Sequence, residues 1–84
     1  MKTYELTPNN NQKSFYGKAV VIEKENGDIE LKSYNTIVAS FHNGEFERLW
    51  DGYSATTMKH INAFVDMLGI SGGGKAWWTS LTVS

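Results

Sequence analysis

The chain has 84 residues, of which 40% are hydrophobic and 20% charged, and its formal net charge is −1. This composition is typical of a globular protein, so we expect residues 1–84 to form one folded domain. It excludes a disordered chain, and the near-neutral charge disfavours a general nucleic-acid binder. The absence of cysteine excludes disulfides and cysteine-ligated zinc and is compatible with the cytoplasm. The longest apolar run, at 19–22, is far too short to cross a membrane.

Alternating apolar and polar residues over the first fifty positions predict an antiparallel meander of four or five strands. The predicted strands are Lys2–Thr7, Lys18–Glu25, Asp28–Ser33, Thr36–His42 and Glu45–Trp50. The first of these is expected at the edge of the sheet, with Tyr4 and Leu6 on one side. Asn-Gly pairs at 26–27 and 43–44 predict two hairpin turns, because this dipeptide readily adopts the positive φ angles that tight turns require.

Turn length sets the register of each hairpin. Two-residue turns predict the pairs Ile22–Leu31 and Val20–Ser33 in the first hairpin, and Phe41–Phe46, Ile37–Trp50, His42–Glu45 and Val38–Leu49 in the second. The first register also sets Glu23 against Glu30, a like-charge pair, so a longer loop stays open as an alternative. Between the hairpins, a three-residue loop with Asn35 left-handed would pair Leu31 with Ile37.

These registers predict one continuous apolar face on the sheet. Its expected members are Val20, Ile22, Ile29, Leu31, Ile37, Ala39, Phe41, Phe46 and Trp50. Arg48 falls on the same face, and we expect its aliphatic stem to be buried and its charged head exposed. Val21, Val38 and Leu49 are expected on the opposite face.

One amphipathic helix within 50–69 is predicted to cover the apolar face. Met58, Ile61, Phe64, Val65 and Leu68 recur at helical spacing and form a single stripe. Ser54 or Thr56 can cap the helix start, and Gly69 can close its end, with Ile70 as the apolar residue that folds back. The fold class is therefore α+β, a meander sheet with one helix packed on one face.

The C-terminal segment is open to two interpretations. Residues 71–74, with three consecutive glycines, predict a flexible loop, and KAWWTSLTV at 75–83 is compatible with a helical turn or a strand. Trp77 and Trp78 are adjacent, so they point to different sides in either case. We expect one of them to pack and the other to lie nearer the surface.

The residues that could support catalysis or metal binding have simpler structural explanations. Lys75 follows three glycines but precedes alanine, so 71–75 lacks the phosphate-loop pattern and is interpreted as a linker. His42 is interpreted as a strand partner of Glu45, and His60 as a polar-face or capping residue. Helix capping accounts for the serine and threonines near His60. We therefore expect no catalytic residue, no metal and no cofactor.

Three stretches resemble a small domain carried by bacteriophages and mobile elements. They are SFYGKA at 14–19, LKSYNTIVA at 31–39 and LWDGYSATTMKHINAF at 49–64, and together they span most of 13–69. That family has no assigned function, so no catalytic residue can be transferred. The resemblance implies a small accessory protein in the cytoplasm of a host cell. Such proteins often bind host machinery, including as anti-CRISPR inhibitors of defence nuclease complexes.

The expected function is a non-enzymatic protein-binding module, because the sequence combines surplus aromatic residues with no catalytic constellation. The expected partner-contact residues are Tyr16, Lys18, Tyr34, Val38, Arg48, Trp77 and Trp78. The face opposite the helix has no obvious cover in the sequence, and uncovered apolar patches usually mark contacts. The contact could be with a host or element protein or with a second copy in a homodimer.

Direct nucleic-acid binding is the alternative function. Lysines interleaved with aromatic residues can stack on bases over a positively charged track. The candidate residues are Lys13, Phe15, Tyr16, Lys18, Lys32, Tyr34, Trp77 and Trp78. Because the cores of small domains also consume aromatic residues, core packing is the preferred interpretation of most of them.

Overall fold

The computed structural model describes residues 1–7, 15 and 17–83. A five-stranded antiparallel sheet packs against a long helix. The elements are β1 (Lys2–Glu5), β2 (Ala19–Glu23), β3 (Ile29–Ser33), β4 (Thr36–His42), β5 (Glu45–Arg48), α1 (Ala55–Met67) and α2 (Lys75–Ser80). Spatial order follows chain order from β1 to β5, so each strand pairs with its neighbour in sequence. The α+β meander with a helix on one face is confirmed, and α2 is an additional short helix. Neither described helix is long and apolar enough to cross a membrane.

Both predicted ends of α1 are confirmed. The Thr57 N–H donates to Ser54 Oγ at 3.0 Å, which satisfies one of the amides that a helix start leaves unpaired. At the other end Gly69 has φ 77°, and the Ile70 N–H donates to the Val65 carbonyl at 2.8 Å. This is the glycine-closed helix end that the sequence predicted. Of the predicted stripe, Met58, Ile61, Phe64 and Val65 are buried and Leu68 is partly buried.

The loop between β2 and β3 is longer than a two-residue turn. The Lys24 N–H donates to the Asp28 carbonyl at 2.8 Å, which leaves three residues, 25–27, in the loop. Gly27 supplies the positive φ of 94° that this loop requires. Asn26 Oδ1 accepts from the Asp28 N–H at 3.0 Å and stabilises the turn locally. The longer loop, the alternative left open by the sequence, is therefore the correct one.

This loop moves the register by one residue and reverses the faces of β2. Val21 pairs with Leu31, and both are fully buried beneath α1. The prediction that Val20 and Ile22 lie on the helix face is wrong, because a one-residue shift sends each side chain to the other side of the sheet. The new register sets Ile22 rather than Glu23 opposite Glu30, so it also removes the like-charge pair.

The turn between β3 and β4 is tighter than predicted. Ser33 pairs with Thr36, so only Tyr34 and Asn35 form the turn. The residue with positive φ is Tyr34, at 55°, and not Asn35. The three-residue loop predicted from the sequence is therefore wrong. An aromatic residue in the left-handed region is uncommon, because its Cβ crowds the following carbonyl.

A bulge at Val38 corrects the register after this turn. Leu31 pairs with Ala39, and Val38 has no partner on β3. The Val38 carbonyl instead accepts from the Leu49 N–H at 2.9 Å and the Trp50 N–H at 3.3 Å. The side chain of Val38 is 1% exposed and belongs to the core. Its predicted place on an uncovered face is wrong. Its predicted pairing with Leu49 agrees with the β4–β5 register and with the hydrogen bond between the two residues, whereas the pairing of Ile37 with Trp50 stays a prediction because β5 ends at Arg48.

The second hairpin and the two helices close the core. Phe41 pairs with Phe46 and His42 with Glu45, as predicted. The Phe46 ring lies between α1 and α2, with ring centroids 6.3 Å from Phe64 and 5.9 Å from Trp77. Helix α2 therefore packs on the same side of the sheet as α1. The buried apolar core comprises Leu6, Phe15, Ala19, Val21, Leu31, Val38, Ala39, Met58, Ile61, Ala63, Phe64 and Trp78.

Candidate partner-binding site

The seven predicted contact residues divide into buried and surface groups. Val38, Arg48 and Trp78 are 1%, 7% and 0% exposed, so their side chains offer a partner no surface. Trp77 is half-buried against Phe46, whereas Lys18 and Tyr34 are exposed. Tyr16 lies outside the described residues, as does Lys13 of the nucleic-acid candidates. Among the described candidates, the exposed ones are therefore Lys18 and Tyr34.

Arg48 is a structural residue, and each of the three nitrogens of its guanidinium donates a hydrogen bond inside the protein. Its Nε donates to the Trp50 carbonyl at 2.9 Å, Nη1 to Leu81 at 3.1 Å and Nη2 to Gly52 at 3.4 Å. Its Cζ lies 4.8 Å from the centre of the Trp78 ring, within cation–π range. The expectation of an exposed charged head is wrong, because three carbonyls replace the water that the head would otherwise need.

Trp78 fastens α2 to the segment that precedes α1. Its Nε1 donates to the Gly52 carbonyl at 2.8 Å, so Gly52 accepts from Trp78 and Arg48 together. A Cβ at Gly52 would lie 2.5 Å from the Trp50 ring, so the position has no room for a side chain. Sequence analysis missed Gly52, because nothing in the surrounding residues indicates this crowding.

Lys18 and Tyr34 together form an exposed aromatic surface that we call the Tyr34 platform. The Tyr34 side chain is 47% exposed although its backbone is tightly held, with its N–H donating to the Lys18 carbonyl at 2.8 Å. Lys18 Nζ lies 5.3 Å from the centre of the Tyr34 ring. The inner side of that ring faces His60, with centroids 5.8 Å apart. The platform is thus an aromatic side chain fixed in place at the tip of a turn.

A buried polar cluster supports the platform from below. His60 is 1% exposed, and its Nδ1 lies 2.8 Å from Ser33 Oγ, which lies 3.2 Å from Thr57 Oγ1. The Phe15 ring meets the imidazole edge-on at a centroid distance of 4.6 Å. The polar-face interpretation of His60 is wrong. Its position four residues before Phe64 on the apolar stripe was the signal that could have placed it inside.

The Ser33–His60 pair has the atoms of an activated nucleophile but lacks access. Both residues are buried, Ser33 at 3% exposure, so neither oxygen nor imidazole faces solvent where a substrate could bind. Among residues 1–7, 15 and 17–83, no cluster of three histidine or acidic side chains could hold a metal ion. The geometry therefore explains the pair as a buried hydrogen-bonded contact between β3 and α1.

The two histidines are expected to titrate on opposite sides of the usual value near 6.5. Burial lowers the pKa of His60, whereas the hydrogen bond to Asp28 and its negative charge raise the pKa of His42. Protonating His60 therefore opposes folding. The folded protein accordingly loses stability at this position as pH falls below about 6.5, the pKa of histidine in the unfolded chain. The His42–Asp28 contribution has the opposite sign: it is present below about 6.5 and is lost as pH rises through the raised pKa.

An NMR titration of the two imidazole Cε1–H signals checks this prediction. We expect the His42 signal to move at higher pH than that of a model histidine, and the His60 signal to move at lower pH or only on unfolding. If His60 titrated above 6.5 in the folded protein, the buried neutral imidazole would be contradicted.

Comparison with known proteins places this chain in a family of unknown function. Residues 4–80 match the sequence profile of a family of unknown function. No curated protein and no solved structure matches the chain. Membership of a small uncharacterised domain family, which the resemblance over 13–69 implied, is confirmed at that level.

Proposed function

This chain belongs to the family of unknown function DUF8033, and we propose that it is a non-enzymatic protein-binding module that uses the Tyr34 platform. The observation that carries the proposal is an exposed tyrosine held at φ 55° at a turn tip. Glycine or asparagine would fit this backbone with less strain, which for other residues is about 1–2 kcal/mol. Strained backbone positions are held by the surrounding structure and cluster at active sites, ligand clamps and switch regions.

The chemistry of the platform suits a protein partner. Tyrosine is enriched at the energetic centres of interfaces, because its ring buries much area while losing little conformational freedom and its hydroxyl can still hydrogen-bond. Here the ring already lies beside Lys18 and His60, and these neighbours reduce the conformational freedom that it would lose on binding. Lys18 adds a charge at the rim, where it can steer a partner of opposite sign.

The nucleic-acid alternative loses part of its support when the aromatic residues are located. Phe15 and Trp78 are buried and cannot stack on bases. Three lysine–tyrosine pairs remain among the described residues. They are Lys18 with Tyr34 and Lys75 with Tyr53, each with 5.3 Å between the ammonium and the ring centre, and Lys2 with Tyr4 at 5.8 Å. With net charge −1, we expect no tight binding to duplex DNA at physiological salt, because such binding requires several phosphates to be neutralised.

The finer part of the proposal concerns the biological setting. It rests on the sequence resemblance to phage and mobile-element proteins and on no feature of the fold. We propose that the partner is a host or element protein in the cytoplasm of the host cell. Inhibition of a defence nuclease complex, as by an anti-CRISPR protein, is the specific form of this proposal.

Replacing Tyr34 by glycine tests the platform cleanly. Tyr34→Gly deletes the ring and relieves the positive φ together, so the turn should remain folded. We expect capture of protein partners from host lysate to fall on the order of 30-fold or more, as for a hot-spot residue. The measurement is quantitative mass spectrometry after affinity capture, with and without nuclease treatment of the lysate.

Tyr53→Ala is the matched control, since Tyr53 is also an exposed tyrosine beside a lysine and should leave capture unchanged. Loss of the captured proteins after nuclease treatment would favour the nucleic-acid alternative. Full capture by folded Tyr34→Gly would contradict the platform, and self-association of the purified chain that Tyr34→Gly abolishes would identify a homodimer as the contact.

A further inference from the structure

Away from the platform, a polar cavity of about 540 Å³ lies between the second half of α1 and the glycine-rich segment that follows it. Its lining consists of Asn62, Val65, Asp66, Gly69, Ile70, Ser71, Gly72 and Gly73. It is an open depression on the surface and not an enclosed cavity. A Cβ at Gly72 would lie 2.6 Å from Asn62 Oδ1 and 2.8 Å from Val65 Cγ2, so glycine is needed for the wall to approach the helix this closely.

Asp66 connects this cavity to a second one. A cavity of about 340 Å³ on its other side is lined by Tyr4, Glu5, Leu6, Thr7, Ala63, Asp66 and Met67. Among residues 1–7, 15 and 17–83, neither lining contains a lysine or an arginine, and Asp66 contributes to both. The pair of cavities, which we call the Asp66 groove, therefore has acidic character within the described part of its lining.

The end of α1 adds to this negative character. A helix carries about half a negative charge at its C-terminus, where cationic side chains normally compensate. The last turn of α1 contains no basic residue, and Asp66 stands there instead. Its carboxylate is repelled by the helix end, so an outside cation near it would relieve an unfavourable interaction. The Asp66 side chain is also exposed and accessible to such a cation.

Asn62 lies one helical turn before Asp66 on the same face of α1 and contributes a neutral acceptor. Its Nδ2 donates to the Met58 carbonyl at 2.9 Å and to the Gly73 carbonyl at 3.0 Å. These two bonds fix the amide orientation, because only the NH₂ group can donate, and they turn Oδ1 toward Gly72. A carboxylate and an amide oxygen one helical turn apart offer acceptors to the planar donors of a guanidinium.

From these observations we propose that the Asp66 groove binds arginine side chains of a partner polypeptide, with the Asp66 carboxylate as the bidentate acceptor. This proposal rests on the protein-binding function proposed above and names the chemistry of the partner at a second contact. A protein partner is preferred to free arginine because two adjoining cavities share one carboxylate, which suits successive side chains of a single chain.

The test uses the folded full-length chain and an acetylated, amidated Gly-Arg-Gly-Arg-Gly peptide, followed by ¹⁵N amide NMR. We expect saturable shifts at 62–73 and 4–7, with at least fivefold weaker binding for Asp66→Asn. Asp51→Asn is the matched control, because it removes the same charge from another exposed aspartate and should bind as the parent does. The same peptide with citrulline in place of arginine has the shape without the charge and should not bind.

Equal binding of the citrulline peptide, or of Asp66→Asn and the parent, would overturn the proposal. So would shifts concentrated on the acidic loop at 23–30, and so would free arginine binding as tightly as the peptide. Tyr34→Gly distinguishes the two proposals, since it leaves peptide binding to the groove intact. If Tyr34→Gly keeps full partner capture while Asp66→Asn loses peptide binding, the platform fails and the groove stands.

Discussion

Trp78→Ala is expected to remove most of the folding stability of this domain. The side chain is fully buried, donates to the Gly52 carbonyl and packs against the Arg48 guanidinium, so its loss opens a cavity and breaks a hydrogen bond. Truncating a buried tryptophan costs about 3–5 kcal/mol. A domain of this length has a total stability of about 4–13 kcal/mol. We therefore expect a largely unfolded or strongly destabilised protein in a urea titration followed by far-ultraviolet circular dichroism.

Trp77→Ala is the control from the adjacent position. Trp77 is half-buried and stacks on Phe46 with the rings inclined by 26°, so its truncation should cost only about 1–2 kcal/mol. A larger loss for Trp77→Ala than for Trp78→Ala would mean that α2 packs with the other tryptophan inward.

Arg48→Ala is expected to have the second large effect, about 3 kcal/mol or more of folding stability. The change leaves the carbonyls of Trp50 and Leu81 without the donors they have in the parent. Arg48→Lys should restore less than half of the loss, because one ammonium cannot direct planar donors at three separate carbonyls. Urea midpoints of the three proteins give the comparison.

Equal stability of Arg48→Lys and the parent would contradict this account of Arg48. It would mean that positive charge alone, and not the forked geometry of the guanidinium, holds the C-terminal segment. Binding of partners is not expected to respond to Arg48→Lys in the folded protein, since the residue is buried.

Local signals in the sequence predicted the elements whose structure is locally determined. Ser54 and Gly69 define the ends of α1 through contacts within a few residues, so their types are sufficient to predict them. The second hairpin has favourable pairs and an Asn-Gly turn that agree on one register, and that register is observed. Agreement between turn chemistry and pairing is what makes such a prediction reliable.

Long-range contacts determine the features that were predicted wrongly. The side chain of Val38 is buried because a bulge inserts one residue opposite β3, and no residue type in 36–39 requires a bulge. The environment of Arg48 depends on Leu81, 33 positions away in the chain. Tyr34 takes the left-handed conformation although Asn35 has the better intrinsic preference, because the position is set by the pairing of Ser33 with Thr36.

The sequence predicted part of the candidate site, and the rest was missed because it too depends on long-range contacts. Lys18 and Tyr34 were identified from residue type, and their closeness follows from the β2–β3 register, which sequence alone left open. The Asp66 groove was not identified, because it requires the glycine-rich segment to fold back beside α1. The repeated glycines at 72–74 indicated a loop but did not indicate where that loop would pack.

The two outer strands of the meander, β1 and β5, each have one edge that does not pair with another strand of the sheet. Such edges can pair with a strand of another chain and so promote aggregation. β1 and β5 are each four residues long, and both carry charged side chains, such as Lys2 and Glu47. Val83 forms a parallel bridge to Arg48 and so occupies the free side of β5 at its end. Short, charged and partly covered edges are poor templates for strand addition by another chain. We therefore expect a partner to be held by side chains, as proposed for the Tyr34 platform and the Asp66 groove, more readily than by extension of the sheet.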